Sequence, residues 1–94
     1  MINFTLLGTG RIGKLHASII NDHPEASLKY VYDIDTSSAK KIAKKYSCEI
    51  AKTAKEAISS DQINAILIAS ATPTHTDYIS LGAECNKAIL LSLI

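Results

Sequence analysis

Three glycines near the beginning of the chain have the spacing required to hold a diphosphate against the main chain. Gly8, Gly10 and Gly13 follow the apolar stretch Ile2–Leu7, and Asp33 comes about twenty residues after the last glycine. In such a motif the first glycine permits a tight turn, the second leaves room for a pyrophosphate, and the third lets a helix pack closely on the strand. The pattern predicts a dinucleotide-binding strand–helix–strand unit. The alternative is a tight strand–helix turn and nothing more, for which one glycine would suffice.

The acid at the end of the second strand bears on the choice of nucleotide. Asp33 can accept hydrogen bonds from ribose hydroxyls, whereas it would repel a 2′-phosphate. Ile34 after it, which we also assign to the cofactor site, brings no positive charge. These residues favour NAD, although Lys40 and Lys41 could reach a phosphate and keep NADP open. The alternative role for Asp33, and the role we expect for Asp35, is to cap the second helix.

A second loop, after the apolar stretch 65–69, is predicted to face the same crevice and to line the nicotinamide ribose. Within it, Pro73 rigidifies the turn and Thr74 can cap the following helix. His75 could form a hydrogen bond near the cofactor, or it could stabilise the exposed start of that helix. We do not assign it as a general base, because no orienting carboxylate is evident. The residues of this loop that we assign to the cofactor are Ser70, Ala71, Thr72, Pro73 and His75.

The remaining candidate side chains have structural interpretations. His16 is predicted to be a hydrogen-bonded structural residue, and His23 to be solvated in a loop. Cys48 and Cys85 are predicted to be separate reduced thiols without a basic partner. No His, Cys, Asp or Glu grouping has metal-ligand spacing, and no nucleophile–base pair suggests hydrolysis.

Length and charge restrict the function further. Ninety-four residues make at most one domain, which we assign to residues 1–94. The net charge of +1 argues against nucleic-acid binding, and the lysine cluster of residues 40–45 is predicted to be a solvated helix face. No apolar run of about 18 residues predicts a membrane span, and the start does not resemble a signal peptide. A cytoplasmic protein is therefore expected.

Five strand patterns alternate with four helix patterns along the chain. Strands are predicted at 2–7, 27–33, 48–51, 64–70 and 88–94. Helices are predicted at 11–21, 38–46, shortly after Thr53, and at 75–85. The residues expected to form buried helix faces are Ile12, Leu15, Ile19 and Ile20 in the first helix and Ala39, Ile42, Ala43 and Tyr46 in the second.

This alternation predicts an α/β fold. Strands separated by helices pair in parallel through right-handed crossovers. We therefore expect a three-layer, Rossmann-type doubly wound parallel sheet of five strands in the order 3-2-1-4-5. Its ligand crevice should lie between the carboxyl ends of strands one and four, where the winding reverses.

Three segments together resemble the glucose–fructose oxidoreductase / inositol dehydrogenase (Gfo/Idh/MocA) family, and within it the inositol 2-dehydrogenases. They are residues 7–17, 31–35 and 66–77, and the resemblance covers the cofactor domain of that family. It implies that Gly8, Gly10 and Gly13 form the phosphate turn, with the middle N–H groups from Arg11 and Ile12. It also implies that Asp33 binds the ribose, that the second loop lies beside the nicotinamide, and that hydride passes from a substrate CH–OH to NAD.

The chain departs from the family pattern at its end. The family carries an E-K-P motif there, and the positions of its acid, lysine and proline are occupied by Ser92, Leu93 and Ile94. No catalytic residue is therefore predicted in this chain. The family's second domain binds a sugar or polyol, and we expect this chain to lack it and to be a cofactor-binding part without turnover of its own. The alternatives are a non-catalytic nucleotide-binding module or a truncated remnant, and the oligomeric state is open.

Overall fold

The computed structural model describes residues 1–70 and 75–92. Ala71, Thr72, Pro73, Thr74, Leu93 and Ile94, which include several predicted site positions, lie outside the described residues. Every predicted strand and helix is present within the described ranges, with small shifts of the ends. The elements are β1 (Ile2–Leu7), α1 (Arg11–Asp22), β2 (Ala26–Tyr32), α2 (Thr36–Tyr46), β3 (Glu49–Ile50), α3 (Ala54–Ser59), β4 (Ala65–Ile68), α4 (His75–Glu84) and β5 (Ala88–Leu91).

The five strands form one parallel sheet in the predicted order β3-β2-β1-β4-β5. β1 lies at the centre, where Leu6 is the partner of Val31 on one side and of Leu67 on the other. The chain winds outward from β1 to β3, then crosses the sheet and winds outward again from β4 to β5. The reversal therefore falls between β1 and β4, and the predicted Rossmann-type topology is confirmed.

Two apolar cores make the fold a three-layer structure. The core beneath α1 and α2 contains Leu6, Val31 and Leu67, and the core beneath α3 and α4 contains Leu7, Ile66 and Ile68. Because β4 is covered on both faces, its four residues are all apolar and buried rather than alternating. The predicted stripe of α2 is confirmed: Ala39, Ile42 and Ala43 are buried and Tyr46 packs against them.

The predicted buried face of α1 is partly wrong. Leu15 and Ile19 are each 54% exposed, whereas Gly13, Ala17 and Ile20 face the sheet. Small residues at helical spacing bring the helix axis close to the sheet, so the contact face is centred on them rather than on the large apolar residues. Leu15 lies two residues beyond Gly13 and therefore points away from the sheet.

Caps fix the ends of the helices. Asp35 accepts hydrogen bonds from the main-chain N–H groups of Ser37 and Ser38, so α2 begins two residues earlier than predicted. Thr53 caps α3, where its hydroxyl oxygen accepts from the N–H of Glu56. Asn86 follows α4 in a left-handed conformation, with φ of 58°. Among the described residues no helix has the length and apolar character needed to cross a membrane.

Candidate functional site

The carboxyl ends of β1, β2 and β4 lie at one edge of the sheet, and a cavity is present at this edge. Its volume is about 260 Å³. It lies where the loops after β1, β2 and β4 meet, which is the predicted crevice. The residues that line it are Gly8, Gly10, Tyr32, Asp33, Ile34, Ala69, Ser70 and Tyr78.

Gly8 makes the turn after β1 and brings it against the end of β4. Its φ is +103°, a conformation that other residues rarely adopt. A Cβ atom at this position would lie 2.5 Å from the main-chain nitrogen of Ser70 and 2.6 Å from the carbonyl carbon of Ala69. The absence of a side chain therefore allows the two loops to touch.

Gly13 and Gly10 meet different surroundings. A Cβ atom on Gly13 would collide with the carbonyl oxygen of Gly8, so this glycine permits the close packing of α1 on β1. A Cβ atom on Gly10 would meet nothing within 4 Å, and Gly10 is exposed beside the cavity. The open side of Gly10 is therefore the place in the turn where a ligand can lie against bare main chain.

The amino end of α1 adds positive electrostatic potential to this edge. The helix spans 12 residues, has no side-chain cap at Gly10 and carries no acidic residue in its first turn. The first N–H groups of a helix have no carbonyl partner within it, and Arg11, Ile12 and Gly13 hold these positions. Such a helix end favours an anionic group.

The carboxylate of Asp33 is anchored from two sides. Its Oδ2 accepts hydrogen bonds from the main-chain N–H of Thr9 (2.7 Å) and from the Thr9 hydroxyl (2.8 Å). Its Oδ1 accepts from the main-chain N–H of Asp35 at 2.9 Å. Burial alone raises the pKa of Asp33, but the hydrogen bonds from Asp35 and Thr9 outweigh it and the pKa falls below the usual value. Asp33 is therefore ionised at neutral pH.

The two aspartates after β2 have separate positions. Asp35 caps α2, whereas Asp33 lines the cavity and joins the glycine turn to the end of β2. The alternative in which Asp33 itself caps α2 is therefore wrong.

His75 connects the two ends of the second loop. Its Nε2–H donates to the carbonyl oxygen of Ser70 at 2.8 Å, so the start of α4 is tied to the end of β4. His75 is half-buried and is not among the residues that line the cavity. This contact matches the helix-start alternative for His75, while Ala71, Thr72 and Pro73 lie outside the described residues.

The other candidate side chains lie away from this edge. The His16 Nε2 and the Ser92 hydroxyl form a 3.3 Å hydrogen bond between α1 and the end of β5. His23 is exposed, and its Nδ1 accepts from the N–H of Glu25. Burial raises the pKa of the Cys48 thiol to about 11, so Cys48 is protonated at neutral pH and is no nucleophile. Within residues 1–70 and 75–92, no three His, Cys, Asp or Glu side chains could share a metal ion.

Comparison with known proteins identifies the family. A model of the Gfo/Idh/MocA oxidoreductase family, described by its NAD-binding Rossmann fold, matches residues 2–92. The chain belongs to this family. The Gfo/Idh/MocA assignment explains why the glycine turn, Asp33 and the end of β4 converge on one cavity.

Individual relatives agree with this assignment. An inositol 2-dehydrogenase of Rhizobium meliloti is 39% identical over 88 residues, which are 94% of this chain and 26% of the relative. A candidate myo-inositol dehydrogenase from Sinorhizobium meliloti superimposes with a TM-score of 0.91 at 38% identity, over 97% of this chain and 27% of that one. A scyllo-inositol dehydrogenase from Lactobacillus casei, solved with NAD(H) and scyllo-inositol, shares the fold with a TM-score of 0.89 at 22% identity, over 97% of this chain and 27% of that one. This Gfo/Idh/MocA chain thus spans about a quarter of the length of these relatives.

Sequence reasoning missed three residues at the cavity edge. Tyr32 and Tyr78 line the cavity, and Thr9 is fully buried behind Asp33. The position of Thr9 between two motif glycines was a signal for it. Tyr32, at the end of β2, and Tyr78, on the fourth residue of α4, could have been found only once the sheet order was known.

Proposed function

We propose that this chain forms the cofactor-binding domain, residues 1–94, of an NAD-dependent dehydrogenase that oxidises a CH–OH group of a sugar or cyclitol. The observation that carries the proposal is the meeting of an open glycine, an uncapped helix end and an ionised Asp33 at one cavity. Family membership favours this function over a non-catalytic nucleotide-binding module.

Two groups of residues would hold the diphosphate and the adenosine ribose. The open side of Gly10 and the first N–H groups of α1, from Arg11 and Ile12, suit the diphosphate, while Gly8 and Gly13 maintain the turn. Asp33 suits a ribose hydroxyl, because its ionised carboxylate lies in the same cavity. Its negative charge and the apolar neighbour Ile34 support NAD over NADP.

The end of β4 would hold the nicotinamide side of the cofactor. Ser70 lines the cavity, and His75 fixes the Ser70 carbonyl at the start of the second loop. We assign Ser70, Ala71, Thr72 and Pro73 to this side, and His75 contributes to it through the Ser70 carbonyl. When bound, NAD supplies the hydride acceptor of the reaction.

The substrate proposal rests on the relatives and not on the cavity. Inositol dehydrogenases are similar to this chain over nearly its whole length, but the chain spans about a quarter of theirs. Holding an alcohol against the nicotinamide requires groups fixed on the opposite side of the cofactor. We therefore expect the 94 residues to bind NAD without oxidising a cyclitol.

Titration calorimetry with NAD and NADP tests the nucleotide assignment. We expect saturable heat with NAD and weaker binding of NADP.

Asp33→Ala should lower the affinity for NAD by about 1–3 kcal/mol, because ribose hydroxyls lose their acceptor. Asp61→Ala is the matched control, since Asp61 is exposed and follows α3, away from the cavity. Heat with NAD no greater than that of dilution would refute the proposal.

We also propose that the protein works in a reducing compartment, the cytoplasm. Cys48 and Cys85 are both free thiols, which supports this assignment.

A further inference from the structure

The residue between the first two motif glycines connects the phosphate turn to the ribose acid. Thr9 is 0% exposed, although its hydroxyl is polar. Its main-chain N–H and its hydroxyl both donate to the same oxygen, Oδ2 of Asp33, at 2.7 and 2.8 Å. The general motif requires no particular side chain at this position. The turn alone therefore does not account for a buried hydroxyl at this position.

Hydrogen bonds hold the carboxylate of Asp33 in one orientation. Each carboxylate oxygen has two lone pairs, so Oδ2 is saturated by its two bonds from Thr9. Oδ1 accepts from the N–H of Asp35 at 2.9 Å, and the N–H of Ile34 also stabilises the charged carboxylate. Main-chain and side-chain donors therefore hold the carboxylate in one orientation.

We propose that Thr9 is a positioning residue that sets the nucleotide selectivity of the site by holding Oδ2 of Asp33, and with it the orientation in which the carboxylate meets the ribose. This inference rests on the proposed function. A 2′-phosphate would have to turn the carboxylate away from the cavity, and that rotation breaks both bonds from Thr9. Thr9 thereby strengthens the discrimination against NADP without touching the nucleotide.

Two substitutions separate the hydroxyl from the shape of the side chain. Thr9→Val keeps the branched volume and the main-chain bond but removes the hydroxyl donor. Thr9→Ser keeps the donor. We expect Thr9→Val to lower the ratio of NADP to NAD dissociation constants by about tenfold, as loss of one hydrogen bond to a charged group implies. Thr9→Ser should restore the ratio to within about threefold of the original, because its hydroxyl still reaches Oδ2.

Calorimetry with NAD and NADP on the 94-residue chain and both variants measures this ratio. Unfolding by urea on the same samples shows whether each variant is folded. An unchanged ratio in a folded Thr9→Val chain, or an equal loss in Thr9→Ser, would overturn the proposal. A starting chain that binds neither nucleotide would instead refute the proposed function, and the selectivity role with it.

A measurement without nucleotide tests the anchoring itself. The carboxyl carbon signal of Asp33 can be followed against pH by NMR in the unmodified chain, in Thr9→Ser and in Thr9→Val. In the first two chains we expect the midpoint of Asp33 to lie below the ordinary aspartate pKa of about 3.9, because the hydrogen bonds from Thr9 and Asp35 stabilise the ionised carboxylate. In Thr9→Val the midpoint should rise toward that value. A midpoint at the ordinary value in the unmodified chain would contradict the anchoring.

Discussion

The three motif glycines have different physical tasks, and this difference can be measured residue by residue. Gly10 has φ of −73° and ψ of −160°, which alanine adopts without strain, and its Cβ position is open. We expect Gly10→Ala to leave the free energy of unfolding almost unchanged while weakening NAD binding at least tenfold, because the methyl group would occupy the place proposed for the diphosphate. Urea denaturation and calorimetry check the two effects.

Gly13→Ala is the counterpart of that substitution. Its methyl group would collide with the carbonyl oxygen of Gly8, so α1 would have to move away from β1. We expect a loss of about 1–3 kcal/mol in the free energy of unfolding. Equal stability of the two alanine variants would contradict the different tasks of Gly10 and Gly13.

Asp33 should make the stability of the chain depend on pH. Its pKa is lowered in the folded state, so its stabilising effect is complete above the ordinary aspartate pKa of about 3.9. That effect is lost as the pH falls through the lower folded-state pKa. We expect Asp33→Asn to reduce the acid-dependent loss of stability below about pH 4, measured by urea unfolding across pH. An identical pH profile in Asp61→Asn and Asp33→Asn would count against this assignment.

At the residue scale, sequence spacing predicted that the glycine turn and Asp33 would lie at one crevice, because the strand–helix–strand motif is local in the chain. The contact between Thr9 and Asp33 was not predictable in this way. It depends on the parallel register that brings the ends of β1 and β2 together, where Leu7 is paired with Tyr32. Long-range pairing of this kind is not encoded in the spacing of residue types.

At the scale of elements, the end of α2 stores strain that a substitution can relieve. Ser47 follows the helix in a left-handed conformation, with φ of 55°, where glycine has no Cβ penalty. We expect Ser47→Gly to raise the free energy of unfolding by about 0.5–1 kcal/mol. Ser18→Gly, in the interior of α1, is the control and should lower it by a similar amount. A loss of stability in both variants would contradict the strain at Ser47.

In two elements, the pattern of large apolar residues in the sequence did not predict correctly which residues face the core. In α1 the small residues Gly13 and Ala17 face the sheet, so the spacing of the large residues gave the wrong face. In β2 the pairing with β1 shifts at Lys29, which has no partner in the register. The shift lets Leu28 and Val31 enter the same core although they are three residues apart. Only the partner strand reveals this irregularity.

At the scale of the whole molecule, the two outer layers cover the sheet unequally. On the α1 side, a groove of about 440 Å³ lies over β4 and β5 and includes Ile19, Leu67 and Leu90. On the α4 side, Ile66 is 0% exposed and Gly82 brings the helix against it. The central strands therefore supply most of the buried apolar surface, and β5 supplies less.

Because the two sides of the sheet are covered unequally, shortening a side chain to alanine should lower the free energy of unfolding by different amounts on the two sides. Ile66→Ala should lower the free energy of unfolding by about 2–5 kcal/mol, because it leaves a cavity in the core. Leu90 is 43% exposed on the neighbouring strand, so Leu90→Ala should cost less than half as much. Urea unfolding of both variants measures the difference. Similar losses of unfolding free energy in the two variants would contradict this account, because they would mean that the α1 side of β5 is covered in solution.

The most direct test of the nucleotide site is an NMR titration of the 94-residue chain with NAD, following each main-chain amide. We expect saturable shifts concentrated at Gly8, Gly10, Arg11, Asp33 and Ser70, with the amides of α3 unchanged because that helix lies away from the cavity. Shifts confined to the groove beside β5, or no shifts at millimolar NAD, would contradict binding at the carboxyl ends of β1, β2 and β4.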